Sequence, residues 1–137
     1  MKEDEIINLS IQCNFHAIKA LPLKLEASGR EYWRVINKDN SMILCYLDPS
    51  IGDHSDFIKI TNSLKENNIN SVNIIHHNAD LGVTLQEDLG DCDLLSILEE
   101  ENELKLLEGS LDLLIKIQGS KIRNIQRFSE DELKQQM

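Results

Sequence analysis

Two arginines beside a short Ser-Gly turn are the residues of this sequence best suited to bind an anion. Ser28-Gly29 precedes Arg30, and Arg34 follows four positions later. A guanidinium stays protonated and can donate two parallel hydrogen bonds. A Ser-Gly turn lets backbone N–H groups approach phosphate oxygens without a side-chain clash. Each feature also has an ordinary explanation, because such turns usually only join two strands and surface arginines usually pair with carboxylates.

Other reactive side chains form weak patterns. His76 and His77 are adjacent, so in a strand they point to opposite faces, which is poor geometry for a shared metal ion. The three cysteines, Cys13, Cys45 and Cys92, are far apart and lack the C-x-x-C spacing of a metal or redox site. We therefore expect no metal site in this chain, and a reducing, cytoplasmic location.

Length and charge limit the functions further. The 137 residues suit one domain of ordinary size, and the formal net charge of −10 repels a nucleic-acid backbone. The first residues are acidic where a signal peptide would be basic, and no apolar run approaches the roughly 18 residues of a membrane span. We expect a soluble protein that binds neither nucleic acid nor membranes.

The apolar pattern predicts an α+β fold in which a five-stranded antiparallel sheet carries helices on one side. Helices are predicted at residues 4–20, ended by Pro22, and at 57–69, and strands at 21–27, 31–36, 41–47, 71–76 and 82–86. Residues 94–101 and 103–118 are predicted to be helical, with another short helix from Ser129. The segment Glu-Asp-Leu-Gly-Asp at 87–91, taken alone, is typical of an acidic turn that enters a helix.

Several of these segments resemble a known family. Residues 27–35, Ala-Ser-Gly-Arg-Glu-Tyr-Trp-Arg-Val, resemble the hairpin that opens the kinase-like fold in a bacterial branch of the aminoglycoside phosphotransferase superfamily. That branch contains N-acetylmuramate and N-acetylglucosamine kinases. The similarity continues through Leu47-Asp48-Pro49, the helix at 57–64 and residues 82–91, in the same order and spacing. It covers roughly residues 21–98, and its strength lies in several matches in register.

The resemblance implies a protein-kinase-like N-lobe with its hinge at residues 1–91, and a helical segment at 92–137 that leads toward a C-terminal lobe. It implies ATP and Mg²⁺ as cofactors, and transfer of the γ-phosphate to a hydroxyl of a sugar or amino sugar. The residues expected to hold the nucleotide are Ser28 and Gly29 in the phosphate-covering loop, Arg30 or Arg34 as its positive charge, and the Glu87 carbonyl and Leu89 amide at the adenine.

The sequence departs from the family in ways that matter. The third strand contains no Lys for the phosphates, and the second helix has no central Glu to pair with one. A His-Gly-Asp type catalytic loop and the magnesium ligands cannot be placed, so we expect an isolated lobe without phosphotransferase activity. The alternative is a non-catalytic binding or interaction domain, or a small acidic adaptor. Self-association through the apolar stripe at 104–115 fits either account.

Overall fold

Five strands form one antiparallel sheet in the computed structural model, which describes residues 1–23, 29–91, 99 and 102–120. The strands lie in the order β1-β2-β3-β5-β4, and every neighbouring pair is antiparallel. Three helices accompany the sheet in these residues. The elements, in chain order, are α1 Glu3–Gln12, β1 Lys19–Pro22, β2 Glu31–Ile36, β3 Ser41–Tyr46, α2 Ser55–Glu66, β4 Ile74–Asn78, β5 Val83–Glu87 and α3 Glu103–Gln118. The predicted α+β class and five-stranded antiparallel sheet are confirmed.

The β2–β3 hairpin sets the register of the central strands. Its turn is closed by the Asn37 side chain, whose Oδ1 accepts hydrogen bonds from the backbone N–H groups of Asp39 at 3.1 Å and Asn40 at 2.9 Å. Asn favours this position because its carbonyl can replace a backbone acceptor in a turn. The hairpin then places Trp33 opposite Leu44, and Leu44 opposite Leu85 of β5.

One face of the sheet packs against α1 and forms the hydrophobic core. Its buried side chains are Ile6, Leu9, Cys13, Phe15, Ala17, Ala20, Trp33, Val35, Leu44, Val83 and Leu85. Ile6 and Leu9 lie three positions apart, on the helical face that contacts the sheet. Glu3 supports this docking, because its Oε1 accepts a hydrogen bond from the N–H of Ala20 at 3.1 Å.

The other face of the sheet receives α2, and we call it the α2 face. Phe57 of α2 lines a cavity together with Tyr32 and Cys45. Each of these two strand residues is a neighbour in sequence of a core residue, so each points to the side opposite the core. The expectation that the helices share one side of the sheet is therefore wrong, because α1 and α2 pack against opposite faces.

The first helix is shorter than predicted. It ends at Gln12 instead of continuing to residue 20, and Asn14 adopts a left-handed conformation with φ 63°. Asn tolerates this conformation better than most residues, and it stops the helix. Phe15, Ala17 and Ala20 reach the core from non-helical backbone, Ala20 from strand β1, so their apolar pattern resembled a longer helix. Pro22 lies in edge strand β1, where its missing N–H is tolerated.

The other boundaries differ little from the predictions. Helix α2 ends at Glu66, before the predicted Asn67-Asn68, and α3 has the predicted limits. Strands β4 and β5 are shifted toward the C-terminus relative to the predicted 71–76 and 82–86. The predicted strand at 21–27, the helix at 94–101 and the short helix from Ser129 lie partly or wholly outside the described residues. None of the helices in the described part of the chain is long and apolar enough to cross a membrane.

Candidate functional site

A small cavity of about 190 Å³ lies on the α2 face near the beginning of β2. Six residues line it: Arg30, Tyr32, Cys45, His54, Phe57 and Gln86. Tyr32 and Cys45 are directly opposite each other on neighbouring strands, and Cys45 is in turn opposite Thr84 of β5. Gln86 follows Thr84 by two positions and so lies on the same face. The sheet register therefore supplies three polar side chains, Tyr32, Cys45 and Gln86, to the lining of this cavity.

Arg30 supplies the permanent charge among the residues that line this cavity. Its Nη2 donates a hydrogen bond to the backbone carbonyl of Asp53, at 3.0 Å. That interaction fixes the guanidinium beside the loop that leads into α2 without neutralising it, because a carbonyl carries no net charge. Most of the five N–H donors of a guanidinium remain after one such bond.

His54 is buried beside Arg30, with 2% of its surface exposed. Burial lowers its pKa below the usual 6.5, although the hydrogen bond to Gly82 opposes this effect. The imidazole is therefore neutral at pH 7, and its Nε2 donates to the Gly82 carbonyl at 3.0 Å. This bond fixes the start of α2 against the turn before β5.

Cys45 also stays neutral. Burial raises the pKa of its thiol, and the hydrogen bond from Tyr32 and the charge of Arg30 offset only part of this effect. With His54 and Cys45 both uncharged at neutral pH, the lining residues carry one positive charge. A cavity of this kind favours an anionic ligand.

Arg34 lies on the same face as Arg30 but faces different partners. Its Nε donates to Oδ2 of Asp88 at 2.7 Å, and its Nη2 donates to Oδ1 of the same carboxylate at 3.1 Å. Asp91 is also close, with its Oδ1 at 3.0 Å from Nη2 and its Oδ2 at 3.2 Å from Nη1. Arg34 thus has the carboxylate pairing that is the ordinary alternative to phosphate binding.

The two predicted adenine-binding residues lie at the C-terminal end of β5, where Glu87 is the last residue of the strand and Leu89 follows two positions later. The Glu87 N–H donates a hydrogen bond to the Asn73 carbonyl at 2.9 Å, and the Glu87 Oε1 accepts one from the Asn73 N–H at 2.9 Å. Leu89 is 72% exposed. Arg30 and Arg34 are separated by about 13 Å along the strand direction. Arg30 and the predicted hinge are therefore at opposite ends of one face, and the cavity extends from Arg30 to Gln86, the residue before the hinge.

The phosphate-covering turn is only partly described. Ser28 lies outside the described residues. Gly29 has φ +78°, and a Cβ added to it would have no atom within 4 Å. Its conformation is one that glycine adopts at little cost, which suits a tight turn. The roles of Ser28 and Gly29 at a phosphate stay predictions.

Sequence reasoning missed the residues that complete the cavity. It did not select Tyr32, Cys45, His54, Phe57 or Gln86 as site residues, although strand alternation places Tyr32 and Arg34 on one face. The sequence pattern did not indicate His54 as a site residue, because a single His before a helix has no distinctive neighbours. His77 was considered only with His76, and its ring lies 6.3 Å from that of His54.

Two further surfaces are open in the described residues. A groove of about 640 Å³ flanks Glu87 and Leu89 on the side of α2's C-terminus, and it is lined by Lys65, Asn68, Ile69, Asn70, Ser71, Val72, Asn73, Glu87 and Leu89. Helix α3 has no buried residue, and several of its apolar side chains are exposed: Leu104, Leu107, Leu111, Leu113, Leu114 and Ile115. Self-association through α3 stays a prediction. No cluster of three or more His, Cys, Asp or Glu in the described ranges is placed to hold a metal ion.

Comparison with known proteins indicates a distant kinase relationship. No protein-family model matches the sequence. The chain is similar to an N-acetylmuramate/N-acetylglucosamine kinase of Pseudomonas aeruginosa, with 30% identity over 98 residues. The matched part is 72% of this chain but only 29% of that kinase. The chain therefore spans less than a third of the relative's length, and the similarity supports a kinase-like relationship without defining an activity.

Proposed function

We propose that this chain is the nucleotide-binding, N-terminal part of a small-molecule kinase that transfers the γ-phosphate of ATP to a hydroxyl. The acceptor we propose is a sugar or amino sugar, by analogy with the name of the Pseudomonas aeruginosa relative. The five-stranded antiparallel sheet would then be a protein-kinase-like N-lobe, and residues 87–91 its hinge.

The observation that carries this proposal is the layout of the α2 face. The positive charge of Arg30 lies at one end of the cavity, and a backbone segment with an exposed Leu89 lies beyond the other end. Gln86 connects them, because it lines the cavity and directly precedes Glu87. A nucleotide has the same polarity, with an anionic tail and an uncharged heterocycle that pairs with backbone groups. An extended nucleotide along β2 would place its base at the hinge and its phosphates near Arg30.

Arg30 is the better of the two arginines for the phosphate role. It lines the cavity and bonds to a backbone carbonyl, whereas Arg34 is held by two carboxylates. The charge of Arg30 also offsets the lack of a Lys in β3, whose residue in the cavity is Cys45. A guanidinium can replace an ammonium here, because both remain protonated and both donate to phosphate oxygens.

The cavity residues fit the phosphates of ATP but not its metal. Mg²⁺ prefers carboxylate, phosphate and water oxygens, and none of the six lining residues has a carboxylate. When bound, Mg²⁺ neutralises the charge that develops during phosphoryl transfer. We therefore propose that the magnesium ligands and the residue that orients the acceptor belong to a C-terminal lobe of the kinase.

Backbone amide resonances during an ATP titration test the assignment. We expect shifts at Gly29, Arg30 and Leu89 in the wild-type chain, and a loss of affinity of about tenfold or more in Arg30→Met, because one charge-assisted contact disappears. Lys105→Met on α3 is the matched control, since it removes one positive charge from an exposed site far along the chain. Shifts confined to α1 and α3, with Gly29 and Leu89 unmoved, contradict the proposal.

An activity assay separates the lobe from the whole kinase. The chain alone should release no ADP in a sugar-dependent reaction above the level of a heat-treated control. Activity in the isolated chain would mean that the acceptor and metal groups are present after all.

A non-catalytic interaction domain is the second candidate, and the exposure of α3 favours it. Leu104 is 72% exposed and Ile115 65%, and such apolar stripes usually pack against another surface. The same ATP titration distinguishes the candidates, because an interaction domain predicts no shifts on the α2 face.

A further inference from the structure

The carboxylate of Asp88 has a complete set of hydrogen-bond partners. Its Oδ1 accepts from Nη2 of Arg34 and from the backbone N–H of Gly90, at 3.1 and 2.9 Å. Its Oδ2 accepts from Nε of Arg34 and from Oγ of Ser41, both at 2.7 Å. The two oxygens together can accept about four hydrogen bonds, so this carboxylate is fully satisfied. Its position is therefore determined by groups from β2, β3 and its own turn.

These contacts also restrict the path of the backbone after β5. The Gly90 N–H bonds to the Asp88 side chain two residues earlier, which closes a tight turn around Leu89, and Gly90 has φ +81°. Arg34 and Ser41 hold that turn to the sheet through the same carboxylate. Only 17% of the Arg34 side chain and 8% of the Asp88 side chain are exposed. Partly buried, bidentate pairs of this kind define a geometry more strongly than exposed pairs do.

Arg34 is also poorly placed to attract phosphate. One guanidinium lies between two carboxylates, Asp88 and Asp91, so the local net charge is −1. Such a cluster repels an anion, whereas Arg30 donates to the Asp53 carbonyl, which carries no net charge. The two arginines on one face of the sheet therefore have different electrostatic surroundings.

We propose that Arg34 is a positioning residue for the hinge: through Asp88 it fixes the backbone of residues 87–90, so that the Glu87 carbonyl and the Leu89 N–H face the base of a bound nucleotide. This inference rests on the proposed nucleotide-binding function. It assigns Arg34 to recognition of the base and leaves recognition of the phosphates to Arg30.

Comparing adenosine with ATP tests this division. Arg34→Lys keeps the charge but loses the bidentate pair with Asp88. It should weaken the binding of adenosine and of ATP by the same factor of about tenfold, because one charge-assisted hydrogen bond is lost. Arg30→Met should weaken ATP and leave adenosine within about twofold. Ser41→Ala removes one of the four Asp88 contacts and should show a smaller, equal loss for both ligands. Asp112→Asn is the matched control, because it also replaces a carboxylate with an amide, at an exposed position on α3, and its affinities should stay close to wild type.

Hydrogen exchange at Gly90 gives a readout that needs no ligand. Because its N–H bonds to Asp88, exchange at Gly90 should become faster in Arg34→Lys and in Ser41→Ala, and remain unchanged in Arg30→Met. If Arg34→Lys weakens ATP but not adenosine, Arg34 is a phosphate ligand and the proposal is overturned. Unchanged Gly90 exchange or unchanged affinities in Arg34→Lys overturn it equally. If wild-type chain binds neither adenosine nor ATP, the proposed function itself falls, and the assignment of Arg34 falls with it.

Discussion

Replacing Asp88 with Asn should destabilise the whole domain. The substitution keeps the size of the side chain but converts one oxygen into an NH₂ group. That group must then face Nε of Arg34 and the Ser41 hydroxyl, or else Nη2 of Arg34 and the Gly90 N–H, all of which now donate to the carboxylate. Among the described residues, Arg34 would then keep one anionic partner, the exposed Asp91.

The pKa of Asp88 gives the expected magnitude. The pKa of Asp88 falls from 3.8 to about 2, mainly because of the hydrogen bond from Arg34, with smaller contributions from Ser41 and Gly90 and with burial opposing them. Each pKa unit corresponds to about 1.4 kcal/mol, so ionised Asp88 stabilises the folded state by about 2 kcal/mol at neutral pH. Asp88→Asn should lower the free energy of unfolding by a similar amount. Asp91→Asn should lower it by about 0.5 kcal/mol or less, as is usual for exposed pairs.

The pH dependence checks the cause of the loss. The pKa of Asp88 is lower in the folded state than in the unfolded state, so its contribution is complete above about pH 4 and disappears as the pH falls toward 2. Urea unfolding followed by the fluorescence of Trp33, which is buried in the core, measures the stability. The difference between wild type and Asp88→Asn should be constant from pH 7 to 5 and shrink below pH 4. A difference under about 0.5 kcal/mol at pH 7, or one that grows on acidification, refutes the reasoning.

Two other predictions use the same unfolding measurement. Gly82→Ala should cost about 3 kcal/mol or more, because Gly82 has φ +68° and an added Cβ would lie 2.0 Å from the Leu47 carbonyl oxygen. Gly90 has φ +81° but open space around an added Cβ, so Gly90→Ala should cost only about 1 kcal/mol. Equal losses of stability in the two variants would show that the contact with the Leu47 carbonyl is not responsible. Burial lowers the pKa of His54, so the unfolded state takes up a proton first and wild type should lose stability as the pH falls below 6.5. His54→Gln should reduce this pH dependence.

Much of the fold could be predicted because its signals are local. The polar turn at 37–40 separates β2 from β3, and the apolar stripe of α3 extends over the observed helix. The end of α1 could not be predicted in this way, since it depends on a left-handed Asn14 and on apolar residues that reach the core from non-helical backbone. Periodicity does not distinguish such a segment from one more helical turn.

The candidate site was less predictable, because its geometry depends on contacts between distant residues. Arg34 and Asp88 are 54 positions apart, and they meet only because β2, β3 and β5 are neighbours in one register. The sequence identified both arginines and the segment at 87–91 as candidates. It could not show that one arginine would be enclosed by the carboxylates of that segment while the other lines a cavity.

The charge of the whole chain explains why this separation of the arginines matters. With a formal net charge of −10, the protein repels a nucleotide at long range, and salt screens that repulsion beyond about 10 Å. Attraction must therefore come from a positive group that is close to the ligand and not neutralised by a neighbour. Arg30 meets both conditions, because it lines the cavity next to the neutral His54 and Cys45. Arg34 meets neither, so the same side chain four positions further along β2 can stabilise the hinge without competing for the phosphates.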